Sequence, residues 1–307
     1  MSVPKPNVST DLLQVSHVTR YRYAKPVTFG RHRAMFRPHE SNDLRLTSFE
    51  VSASPAAAQH WVHDVFSNSK TILDFSNAPP SDTLEIACTF NVVRSSVQVP
   101  VFPISVSAQR YPFDYPKEQI PDLIALIRPE YVLPDQAVNE WANKLRRQAG
   151  DDTWTLLTTI NRTIHESLIY KRREEPGIQA PRETLELGAG SCRDFAVLMM
   201  EGVRQLGFAA RFVTGYLYDP LTDKKDGGMQ GSGATHAWVQ VFLPGAGWIE
   251  FDPTNGLIAS GNLIRTGVAR TPSQAVPLEG SFRGSMDDFL GMEVDVEVTA
   301  LAPTLWG

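Results

Sequence analysis

The sequence predicts an α+β protein: an all-β first third, followed by a core of helices packed on an antiparallel sheet. Three observations carry this. Up to about Pro103 the chain runs in short, roughly alternating stretches rich in β-branched and aromatic side chains. Beyond Pro116 the apolar residues recur at i, i+3, i+4 and i+7. After Gly207 the alternation returns. Helices first and strands later favour this class over a doubly wound parallel sheet.

In order, "LLQVSHVTRYRY", "LRLTSFEVSA", "HWVHDVFS", "KTILDF" and "LEIACTFNVV" are strand-like runs separated by Pro, Asn, Ser and Asp clusters, an all-β domain over residues 1–103. Pro100, Pro103, Pro112 and Pro116 then punctuate a stretch poor in regular pattern, read as a linker over residues 104–116. In "PDQAVNEWANKLRRQ", Asp135 is positioned as an N-cap ahead of Val138, Trp141, Ala142 and Leu145. "WTLLTTINRTIHESLIY" repeats the helical period. A third helix follows Cys192 through Phe195, Ala196, Met199, Met200, Val203 and Leu206, and stops at Gly207. "ARFVTGYLY", "HAWVQVFL" and "GWIEFDP" read as strands and complete a core over residues 117–256. Residues 257–307 read as a Gly- and Pro-rich tail that ends in one more strand, "MEVDVEVTAL".

Composition narrows the function classes. Hydrophobic content of 42% and charged content of 21% suit a soluble globular chain of 307 residues with a sizeable core. A formal net charge of −5 argues against nucleic-acid binding. The basic runs "KLRR" (Lys144 to Arg147) and "KRR" (Lys171 to Arg173) sit beside acidic residues and read as solvated helix ends. The first dozen residues, "MSVPKPNVSTDL", lack the apolar stretch expected of a secretory signal, and no apolar run reaches the ~20 residues of a membrane span. Two cysteines give no disulfide framework, so a reducing, cytoplasmic setting is expected. Cys88 falls in an alternating run and reads as a core residue. His60 and His63 are spaced so that a strand points them to opposite faces, which argues against a metal site; no cofactor is expected.

The chemistry centres on "GAGSCRDFAVLMMEGVRQLG". Cys192 is either packed or reactive. A thiol attacks as the thiolate, which forms more readily at a helix N-terminus than at an ordinary thiol's pKa of about 8.5. Gly188 and Gly190 allow the sharp turn that would keep the sulfur accessible. His236 follows a Gly/Ser loop and opens a strand, so its ring can face a cleft. Asp252 ends the next strand-like run; a hairpin turning at Pro244–Gly247 would set it directly across from His236. Taken singly, each residue is more often structural; together they have the order and spacing of a nucleophile, a base and a group that orients the base. Neither Ser191 nor Ser232 lies in G-x-S-x-G, and "GAGSCR" and "GGMQGSG" lack the lysine of a phosphate loop. Gly227–Gly233 reads either as a flap over a cleft or as a plain surface loop.

"GSCRDFAVLMMEGVRQLGFAARFVTGYLYDP" and "ATHAWVQVFLPGAGWIEFDPTNG" closely resemble the core of bacterial transglutaminase-like proteins, members of the papain-like cysteine-enzyme superfamily. "HVTRYRYAKPV" and "WVHDVFSNSKTILDF" resemble the β-rich region that precedes that core in one bacterial branch. "VPLEGSFRG" and the final strand resemble its C-terminal tail. Two departures stand out: Ser67 where the branch favours glycine, and "GVARTPSQAVP" where relatives are more acidic. The resemblance implies a Cys-His-Asp triad of Cys192, His236 and Asp252. It offers Tyr170 as a second oxyanion donor. From their positions, Asp194 reads as an anchor of the loop or a cap for N–H groups of the first helical turn, and Trp238 as a shield for the imidazole, an acyl-site wall or core packing. Arg193 brings positive charge to the thiolate or points to solvent, and Asn255 helps to hold the Asp252 turn. The implied activity is acyl transfer from a peptide, isopeptide or glutamine amide, with hydrolysis favoured over transfer to an amine. A non-catalytic binding module is the alternative from another class, and the expected partner is a peptide or protein substrate.

Overall fold

The computed structural model describes residues 8–97, 102–131, 136–173, 177–219, 229–230 and 233–301. Asp135, Ser232 and most of Gly227–Gly233 lie outside these, so the expectations placed on them stay there.

The β region is built from β1 (Val8–Phe29), β2 (His32–Ala34), β3 (Leu44–Ser54), β4 (Ala58–His63), β5 (Ser69–Asp74) and β6 (Ser81–Val97). Period-2 burial is clear on β6, where Leu84, Ile86, Cys88, Phe90 and Val92 all turn inward. The next elements are α1 (Ile120–Ile127), α2 (Ala137–Ala149), α3 (Thr153–Ser167), β7 (Ile169–Tyr170), α4 (Pro181–Leu187), β8 (Ala189–Gly190) and α5 (Cys192–Gln205). The strands β9 (Ala210–Leu217), β10 (Thr235–Leu243), β11 (Gly247–Asp252), β12 (Leu257–Ile258) and β13 (Leu263–Ala269) follow. The chain closes with β14 (Leu278–Glu279), β15 (Phe282–Arg283) and β16 (Phe289–Leu301).

α5 is the core helix. It buries nearly every residue between Val138, Ala142 and Leu145 of α2, Leu156, Leu157, Ile160 and Ile164 of α3, and Ala237, Val239 and Val241 of β10. α3 begins at Asp152, whose carboxylate accepts the Thr155 N–H at 2.7 Å. Two helices, α1 and α4, were not expected; at 8 and 7 residues they are too short to show a period, although each carries a proline in its first turn. "KLRR" lies at the end of α2 as expected. "KRR" does not end a helix: it is extended chain leaving β7.

The core sheet has the order β12-β11-β10-β9-β13, all antiparallel. β13 therefore belongs to the core sheet although its sequence reads as tail, because Gly267 interrupts the alternation. Gly267 also lets Met35 of the β region pack close: a Cβ there would lie 2.1 Å from Met35 Sδ and displace that side chain. The remaining tail strands join the β region, β14 on β2, and β15 and β16 on β1. The last strand is thus found where the sequence placed one, and its partner is the first strand.

The two parts share a core. Tyr216, Tyr218 and Ile264 pack into the apolar cluster of the β region. Buried His17 reaches across, its Nδ1 at 2.8 Å from Tyr216 Oη and its Nε2 at 3.0 Å from Thr19 Oγ1. The "DVFSNS" turn docks as well. Asp64 accepts the N–H groups of Phe66 and Asn68. Asn68 then donates to the Val268 carbonyl at 2.7 Å and accepts its N–H at 2.8 Å, satisfying the edge of β13 as a neighbouring strand would. Ser67 sits in this turn at φ 62°, the region that favours glycine. Among the described residues, no helix is long and apolar enough to cross a membrane.

Candidate active site

β10 and β11 form a tight hairpin through Pro244–Ala246, with Gly245 at φ 84°. The register pairs Leu243 with Gly247 and Val239 with Phe251. Continued outward, it sets Asp252 opposite Trp238 and not opposite His236, two residues from the expected pairing. The side-chain period of a strand is two, so the shift keeps both residues on one face and makes His236 and Asp252 diagonal neighbours. His236 Nε2 lies 2.9 Å from Asp252 Oδ2, and both side chains are wholly buried.

Electrostatics favour the charged pair. Burial alone would lower the basicity of His236; the charge and hydrogen bond of Asp252, then the nearby Cys192 thiol, outweigh it and raise the imidazole to about 10. Burial likewise works against the Asp252 carboxylate. His236, the Asn255 side chain and the Thr254 N–H overcome it, and its pKa falls below the ordinary value. The carboxylate is held from several sides. Oδ1 accepts the Thr254 N–H at 2.9 Å, and Oδ2 accepts Asn255 Nδ2 at 2.9 Å. Asn255 also accepts the Gln230 N–H at 2.9 Å, tying the segment that precedes β10 to the same turn. With Nε2 committed to Asp252, Nδ1 is the free nitrogen; it has no hydrogen-bond partner and is available to the thiol.

Cys192 is the first residue of α5 and is 7% exposed. Asp194 fixes this end of the helix. Its Oδ2 accepts the Ser191 N–H and hydroxyl, both at 2.8 Å; its Oδ1 accepts the Gln179 N–H at 2.8 Å, and Arg173 Nη1 lies 3.1 Å from both oxygens. Gly190 packs against this clamp, with room for no side chain: a Cβ would approach the Asp194 Cβ to 2.9 Å.

Tyr170 reaches the site through the short parallel pairing of β7 with β8, opposite Gly190. Its hydroxyl is raised to about 12 by burial and by Cys192, against Arg172 and Arg193, so it keeps its proton at neutral pH. Trp238 is fully buried and stacks on the His236 ring at 5.9 Å between centroids. It packs with Val213, Leu217, Leu263 and Val268. Gly215, paired with His236, leaves the room this needs, because a Cβ there would meet the Ile264 carbonyl at 2.1 Å. Arg173 and the Gln179 backbone were not foreseen as parts of the site. The one local signal was the basic run "KRR", read there as a solvated end.

Compared with known proteins, residues 139–253 match the Transglutaminase-like superfamily, and residues 13–93 match the bacterial transglutaminase-like N-terminal region. The uncharacterised protein ML0607 of Mycobacterium leprae is 25% identical over 299 residues, 94% of this chain and 99% of its own length. Rv2569c of Mycobacterium tuberculosis, also uncharacterised, is 27% identical over 305 residues, 96% of this chain and 95% of its own. A crystal structure from Cytophaga hutchinsonii, named "Putative Cysteine Protease", superposes with a TM-score of 0.71 at 17% identity, covering 97% of this chain and 93% of that one. At that identity the likeness is one of fold.

Proposed function

Since the chain belongs to the transglutaminase-like superfamily and carries the N-terminal region of its bacterial branch, we propose that it is a cysteine-dependent enzyme that cleaves an amide bond of a peptide or protein by acyl transfer, with water as the acceptor. The observation that carries this reading is the buried His236–Asp252 pair at 2.9 Å, whose free imidazole nitrogen is left for a thiol at a helix N-terminus. A buried charged pair of this kind stabilises little by itself and is best explained by the proton it handles.

In the proposed sequence, the thiol proton already resides on His236 Nδ1 in the charged pair, and Cys192 Sγ bonds to the amide carbonyl carbon. The oxyanion meets the N–H groups of the first turn of α5, with the Tyr170 hydroxyl as the second donor. Imidazolium returns its proton to the leaving nitrogen as the C–N bond breaks, which leaves a thioester. Water, deprotonated by His236, then releases the acid and the thiol. Hydrolysis is favoured because water is abundant and a transferase must be built to exclude it.

The test uses a peptide and glutamine-amide library, with and without a fluorescent primary amine. Peptide cleavage or ammonia release that disappears in Cys192→Ala supports the reading; amine incorporation in place of water would move it to transfer. Cys192 labelling by iodoacetamide no faster than that of a free thiol, and unchanged in His236→Ala, would remove the nucleophile altogether.

A further inference from the structure

Three of the four hydrogen bonds to the Asp252 carboxylate come from the turn that follows it. Oδ1 accepts the N–H groups of Thr254 and Asn255, at 2.9 and 3.3 Å, and Oδ2 accepts Asn255 Nδ2 at 2.9 Å; the fourth donor is His236. The turn joins β11 to β12, and Asp252 pairs with Leu257 where the two strands meet. Wherever this turn moves, the carboxylate moves with it.

The turn is held in its place by α3. Asn161 and His165 are four residues apart and so share one face of that helix. Buried Asn161 donates from Nδ2 to the Leu257 carbonyl at 3.3 Å, and His165, exposed, has its Nδ1 2.9 Å from the Thr254 carbonyl. A carbonyl only accepts, so Nδ1 carries a proton there in the neutral ring as in the charged one. The ring also lies against Gly256, where a Cβ would come to 3.0 Å from His165 Cδ2. A histidine in the last turn of a helix is ordinarily accounted for by the helix dipole. Here its nitrogen is committed instead to a residue 89 positions away. Thr254 is thus held at both ends of its backbone, its carbonyl by His165 and its N–H by Asp252.

We propose that His165 is a positioning residue of the reaction: through Thr254 it fixes the Asp252 carboxylate, and through that carboxylate the ring of His236. This rests on Cys192, His236 and Asp252 acting together as nucleophile, base and orienting group. His165 itself touches neither the substrate nor the reacting atoms. Without its N–H the turn is free to shift, the carboxylate leaves its line with Nε2, and the imidazolium that balances the thiolate is less well held.

His165→Ala removes the donor at an exposed helical position, where alanine is the best helix former, so the fold stays intact by circular dichroism and thermal melt. His165→Asn keeps an N–H donor close to the place of Nδ1. The rate of Cys192 alkylation by iodoacetamide is followed against pH in both variants and in the wild type. We expect the midpoint to move up by about one pH unit toward that of a free thiol in His165→Ala, and to stay near the wild-type value in His165→Asn. On a cleaved peptide, kcat should fall about tenfold in His165→Ala with KM nearly unchanged, and largely recover in His165→Asn. An unmoved midpoint in His165→Ala, with wild-type Cys192 still faster than a free thiol, would overturn the inference and leave the nucleophile standing. So would equal shifts in the two variants, which would assign the effect to the ring's packing on Gly256 and not to its N–H. A wild-type Cys192 no faster than a free thiol would overturn the nucleophile, and this inference with it.

Discussion

Asp252 makes one strong choice for the imidazole: by accepting from Nε2 it leaves Nδ1 for the thiol. Asp252→Asn keeps the shape but offers an amide to either nitrogen, so turnover should fall by roughly 10²–10⁴ with the fold intact, measured as kcat on the best library peptide beside a thermal melt. Tyr170→Phe removes a donor and little volume. It should lower kcat by about 10²–10³ and leave KM nearly unchanged; an unchanged kcat would take Tyr170 out of the oxyanion site. At this scale the sequence was most legible. Cys192, His236 and Asp252 each lie in a local context that betrays them: a glycine turn before a helix, a loop before a strand, and a strand end before "PTNG". Their diagonal relation was not legible, because it depends on how many residues the "PGAG" turn consumes. Arg173 and Gln179 meet Asp194 across 21 and 15 residues of chain, beyond the reach of periodicity.

Among the elements, the longest and most regular were predictable, and the short ones were not. α3 and α5 show their period over 15 and 14 residues, whereas β7 and β8 have two residues each and exist only because they pair with one another. The Asp64–Asn68 turn gives a direct test at this scale. Ser67 has φ 62° where its branch favours glycine, and a side chain in that region costs about 1 kcal/mol. Ser67→Gly should therefore raise stability by roughly 0.5 kcal/mol in urea denaturation, the relieved strain being partly offset by the entropic cost of glycine in the unfolded chain. A loss of stability would mean that the serine hydroxyl, and not the backbone, holds the turn.

Across the whole molecule, β region and core are joined by a buried histidine. Burial lowers His17 from 6.5 to about 4. Between those values the unfolded chain binds a proton there that the folded chain refuses, so stability is complete above pH 6.5 and is lost as the pH falls toward 4. The full window corresponds to about 3 kcal/mol. His17→Gln should cost some stability at neutral pH and flatten the decline on acidification; an equally steep decline would assign it to other groups. The β region and core were both apparent from the change of period, but their joining was not, since Tyr216 and His17 are 199 residues apart.

The pairing of β1 with β16 also orders events during synthesis. Leu12 is paired with Leu301, and Tyr21 with Met292, so the sheet that begins with the first strand is finished only by the last. Cys192, α5 and the β10–β11 hairpin leave the ribosome earlier, the thiol roughly a hundred residues ahead of β16, or about 5–20 s at ordinary elongation rates. For that interval β1 has β6 on one side and an unpaired edge on the other. The nascent chain then carries α5 and the core hairpin complete before the sheet of the β region is closed.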